Sequence, residues 1–74
     1  MTYFKTIVTT TNGHKILRLQ KNDVAHFVSE LKKFRTSIFR DVVFLTLNGV
    51  SVCLNAILAV KFINEWTGEE LLAL

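Results

Sequence analysis

The residues able to do acid–base, nucleophilic or metal chemistry are few and scattered. The two histidines, His14 and His26, and the single cysteine, Cys53, fall on different segments. A metal centre needs such ligands grouped at characteristic spacings. Cys53 sits inside Val50-Ser51-Val52-Cys53-Leu54, with no Lys or Arg within seven positions. It therefore reads as a small apolar residue, not an activated thiolate. A lone cysteine also forms no internal disulfide. Among the carboxylates, Asp23 suits a helix start, Glu30 suits an i,i+3 pairing with Lys33, and Asp41 beside Arg40 suits a strand edge. The glycines, at 13, 49 and 68, are isolated and build no phosphate loop. A chain of 74 residues has little room to enclose a pocket of ~300 Å³. The expectation is a protein without catalysis, cofactor, metal or small-molecule substrate.

Two chemistries of recognition remain. Protein contact is the first, with Trp66 and Phe62 as candidate interface residues. Tryptophan is enriched at binding hot spots, although Trp66 would equally serve as a lid over the end of a core. Nucleic-acid binding is the alternative. Tyr3, Phe4, Lys5, Lys15 and Arg18 interleave rings with cations, the mixture that base stacking and phosphate neutralisation require. Lys32, Lys33, Arg35 and Arg40 would extend that basic track. Tyr3 and Phe4 are adjacent, so on a strand one is a platform and the other is core. The net charge of +3 conceals a split. Residues 1–40 carry eight Lys or Arg against Asp23 and Glu30, giving +6. Residues 41–74 carry Lys61 against Asp41, Glu65, Glu69 and Glu70, giving −3. That asymmetry fits an anionic partner or head-to-tail self-complementarity.

The elements that must position these side chains follow from periodicity. Residues 2–10 are nearly all β-formers, Asn12-Gly13 marks a turn, and residues 14–20 return as a second strand. Asn22 or Asp23 would cap a helix over 23–35, because a short side-chain oxygen accepts a free first-turn N–H. Val24, Phe27, Val28, Leu31 and Phe34 make its apolar face. His26, Ser29, Glu30, Lys32 and Lys33 lie opposite. Residues 41–47 and 50–54 form a second hairpin around Asn48-Gly49, and Asn55-Ala56 makes a tight turn or bulge. Residues 57–63 form a strand or a short buried helix. Thr67 and Glu70 match a capping box, so 67–74 is a short helix or a frayed tail. Thr10-Thr11-Asn12-Gly13 and Thr46-Leu47-Asn48-Gly49 echo one another at an offset of 36, as two hairpins of one recipe would.

The 19 uncharged residues between Asp41 and Lys61 would satisfy a hydropathy window. A membrane helix over 42–60 is the remote reading. Asn48, Gly49, Ser51 and Asn55 at its centre oppose it, as do its many β-branched residues. The first residues lack the charged start and apolar stretch of a signal peptide, so a cytoplasmic protein is expected. Residues 48–55, with Ile57 and Val60, resemble the strand–turn–strand pattern of small FlbD-like flagellar proteins. A helix precedes that pattern here, so the order of elements departs from theirs and the resemblance implies no function. Size and charge segregation are also similar in type to accessory or inhibitor proteins of phages and mobile elements.

These readings predict one α+β domain over 1–74, ordered β-β-α-β-β-(β or short α). A single helix packs on one face of a small antiparallel sheet built from two Asn-Gly hairpins. The expected core is Val8, Leu17, Leu19, Val24, Phe27, Val28, Leu31, Phe34, Phe44, Val52, Leu54 and Val60. Half the residues are hydrophobic, and a chain this small buries only ~60% of its unfolded surface. A homodimer acting through protein contact is therefore the expected working form.

Overall fold

The computed structural model describes residues 2–37 and 42–72. Strands β1 (Tyr3–Thr10) and β2 (Gly13–Gln20) form the first hairpin, with Thr6 opposite Leu17 and Val8 opposite Lys15. Alternation sends Phe4, Thr6, Val8, Leu17 and Leu19 to one buried face. Thr10 pairs with Gly13, so the turn is Thr11-Asn12, one residue earlier than expected. The Thr10 hydroxyl explains the shift: it donates to the Gly13 carbonyl and accepts from the Asn12 N–H. Positive φ falls on Gly13 alone, at 121°. The second Asn-Gly behaves as expected. Strands β3 (Phe44–Leu47) and β4 (Val50–Cys53) flank Asn48 and Gly49, whose φ values of 49° and 78° are both positive, as a type I′ turn demands.

Helix α1 (Lys21–Thr36) follows β2 without a loop. Gln20 is its N-cap and makes no side-chain cap hydrogen bond. Asn22 and Asp23 are therefore not caps. They lie inside the first turn, where the Asp23 charge still complements the helix dipole. Phe27 and Leu31 are buried, with Val24, Val28 and Phe34 packed around them. The Phe27 ring meets Phe62 edge-on, at 6.0 Å between centroids, which fixes the helix on the buried face of the sheet. Glu30 and Lys33 pair at 3.5 Å, as their spacing suggested.

Residues 57–63 resolve as strand, within β5 (Ile57–Asn64). β5 pairs antiparallel with β1, which makes the main sheet β2-β1-β5-β6, while β3 and β4 form a separate two-stranded sheet. Thr9 faces Ala59 and Thr10 faces Ile57, so Leu58 is an extra residue in a bulge. The bulge leaves Leu58 exposed and points both Ile57 and Val60 inward. The capping box does not form. Residues Glu70–Leu72 are strand β6, paired with Lys61 to Ile63, and the Thr67 hydroxyl accepts the Glu69 N–H. Residues 73–74 of the expected tail lie outside the described residues. The membrane reading of 42–60 is also overturned. That stretch is β3, β4, a single 3₁₀ turn (Leu54–Ala56) and the start of β5. Among the described residues no helix is long and apolar enough to cross a membrane.

The core holds Val8, Leu17, Leu19, Phe27, Leu31, Val52, Leu54 and Val60 as expected, and adds Phe4, Leu47, Ile57 and Phe62. Phe44 is not in it, at 64% exposure. Leu45 and Leu47 face inward from β3, and strand parity then turns Phe44 outward.

Candidate functional site

The helix and the second hairpin leave one face of the main sheet open. Across that face, the register sets Arg18 beside Lys5, Lys5 beside Ile63, and Ile63 beside Glu70. At one end of the face the β5–β6 connection presents Trp66. The strand cannot continue past Asn64, because the Asn64 carboxamide oxygen accepts the N–H groups of Trp66 (2.8 Å) and Thr67 (3.2 Å). Asparagine makes such turns by imitating a backbone acceptor. The Gly68 N–H closes the turn on the Asn64 carbonyl at 2.8 Å, with Gly68 at a φ of 74°. The Asn64 N–H donates to the Glu69 carbonyl, and the Glu65 N–H to the Tyr3 carbonyl. The turn is thus held from both sides, while Trp66 stands 89% exposed.

Beside Trp66 lies an open cleft of about 470 Å³ lined by Thr2, Tyr3, Arg18, Glu65 and Trp66. Arg18 is held in it twice. Its Nε donates to both Glu65 carboxylate oxygens, at 3.1 and 3.0 Å. Its Cζ stands 3.8 Å from the Tyr3 ring centroid, in a cation–π contact. The Glu65 hydrogen bond outweighs desolvation and, with the Coulombic pull of Glu65 and Tyr3, raises the Arg18 pKa further above its already high value. A raised cation pKa stabilises the fold until pH climbs through the folded value. For Arg18 that lies above any working pH, so the guanidinium is charged throughout.

The residues expected to form a basic track are divided. Lys5 and Arg18 share the open face. Lys15 lies opposite Val8, on the buried face, where its Nζ donates to the Ser51 carbonyl at 3.1 Å. Lys32, Lys33 and Arg35 are on α1, in the layer covering that buried face. Arg40 lies outside the described residues. Of the adjacent aromatics, Phe4 is core and Tyr3 is outward. Phe62, expected at an interface, is a correction. It is 1% exposed and packed on Phe27, because its parity in β5 matches Val60. Trp66 is not a lid, because the turn at Asn64 carries it away from the core. Sequence reasoning missed Glu65 and Asn64. The Asn64-to-Gly68 spacing is a turn signal that identifies the second, but nothing local joins Glu65 to Arg18, 47 positions earlier.

No protein family, no curated protein and no solved structure matches this chain. The chemistry must be judged from the site. The described residues include no group of three or more His, Cys, Asp or Glu able to hold a metal ion. His14 Nδ1 is 3.1 Å from the Thr9 hydroxyl, and Cys53 is half-buried. What the cleft offers is a large exposed ring beside an oriented guanidinium.

Proposed function

We propose that this chain is a small non-enzymatic binding protein, of the accessory or regulatory kind made by phages and mobile elements. It acts in the cytoplasm by contact with another protein or with a second copy of itself. One observation carries the reading: Trp66 is 89% exposed on a turn held by its own hydrogen bonds. A free indole on a floppy loop would fold back onto the nearest apolar surface. Holding it in water forgoes its burial energy, typically about 1.5–3 kcal/mol for a large apolar side chain. A partner that covers the ring recovers that energy and has little loop entropy to overcome.

Nucleic acid fits less well, since the residues of the expected basic track are split between two faces, with Lys15 turned to the Ser51 carbonyl on the buried side. Photo-crosslinking separates the two. A photoreactive amino acid is placed at Trp66, and at Thr36 as a control, in cells that make the protein. A discrete protein adduct, or a dimer, formed from position 66 and not from 36 is expected. Adducts with nucleic acid, or none above the control, would overturn the reading.

A further inference from the structure

The Trp66 cleft also states what its partner should carry. Arg18 spends Nε on Glu65 and one face of its guanidinium on Tyr3. Those contacts use neither of its two Nη amino groups, and 61% of the side chain is in solvent. The plane is stacked and the Nε edge is clipped, so the guanidinium is oriented before anything binds. An oriented guanidinium grips a carboxylate through two parallel N–H bonds with little further entropy loss. Glu65 neutralises Arg18 and Glu70 neutralises Lys61 at 3.0 Å, so Lys5, opposite Arg18 on the same face, leaves one positive charge over. The apolar component of the cleft is Trp66, and a phenyl or alkyl side chain would cover it.

We propose that the cleft takes an extended acidic peptide segment, with the carboxylate on the Nη end of Arg18 and a large apolar side chain on Trp66. This rests on the reading of Trp66 as a protein-contact residue. In an extended chain, residues i and i+2 project from one face about 7 Å apart. A segment with an aromatic residue and an acidic one separated by a single residue presents both side chains to the cleft from one face. A nucleic-acid strand would demand a longer run of cations on this face than Lys5, Arg18 and Lys61 supply, and Lys61 is paired with Glu70 at 3.0 Å.

The chain has a single tryptophan, so intrinsic fluorescence reads this cleft and nothing else. The probe is acetyl-Gly-Phe-Ser-Glu-Gly-amide, titrated to millimolar concentration at low salt. Its companions are the same peptide with Gln in place of Glu, and a short oligothymidylate. The acidic peptide should shift the Trp66 emission to the blue. The Gln peptide should bind about tenfold more weakly, the loss of one charge-assisted pair. Arg18→Gln should remove the difference between the two peptides, and Arg18→Lys, which keeps the charge without the fork, should restore little of it. Far-UV circular dichroism confirms that each variant is folded. Equal binding of both peptides would overturn the carboxylate assignment while leaving Trp66 as a protein contact. A response to neither peptide, or to the oligothymidylate alone, would overturn both.

Discussion

Asn64 joins the fold to the candidate site. Its side-chain oxygen takes two backbone donors, from Trp66 and Thr67, and its main chain pairs with Gly68 and Glu69. Asn64→Ala deletes the side-chain acceptor and leaves the strand pairing intact. The expected cost is about 1 kcal/mol, read as a lower melting temperature, together with a fall in Trp66 fluorescence anisotropy as the turn loosens. An unchanged anisotropy would show that Asn64 does not hold the ring. At this scale the sequence marked Trp66 by residue type alone. It could not decide between lid and anchor, since burial is a property of neighbours. Arg18 was marked for its charge, but its clip to Glu65 and its stacking on Tyr3 depend on strands brought together across the chain.

Helix α1 was legible because a period of 3.6 over a dozen residues is hard to produce by chance, and the structure buries the face that the period selects. The short strands were less so. In β3, four residues long, too little alternation exists to say which set faces inward, and residue type wrongly favoured Phe44. The paired substitutions Phe27→Asp and Phe44→Ser test this assignment. Phe27→Asp places a carboxylate against Phe62 in the closed core and should abolish cooperative unfolding. Phe44→Ser, on a surface position, should change stability by no more than about 0.5 kcal/mol. Thermal melts followed by circular dichroism read both. A melting curve unchanged by Phe27→Asp would refute the packing of α1 on the sheet. The two Asn-Gly turns show the same limit. The dipeptide announces a hairpin, but a single Thr10 hydroxyl moves the first turn by one residue.

For the whole molecule, a 74-residue chain with Ile16, Phe44, Leu58 and Leu71 more than half exposed leaves much apolar surface in water. Self-association is the expected consequence. Light scattering at high concentration should give about twice the 8.5 kDa chain mass. A mass equal to one chain would remove the homodimer from the proposal and leave a different protein as the partner. The sequence by itself determined the α+β class, the helix and its apolar face, both hairpins, and the scattering of ligand-type residues. All of these are set by spacings and turn chemistry within a dozen residues. Only the tertiary structure decided that β5 passes the second hairpin to pair with β1, that β3 and β4 stand apart as their own sheet, and that 70–72 is a strand. It also decided which face of the sheet stays open and which cations share it. Strand order and register are chosen by the summed packing of both sheet faces, and no window of sequence contains both partners of a pair like Arg18 and Glu65.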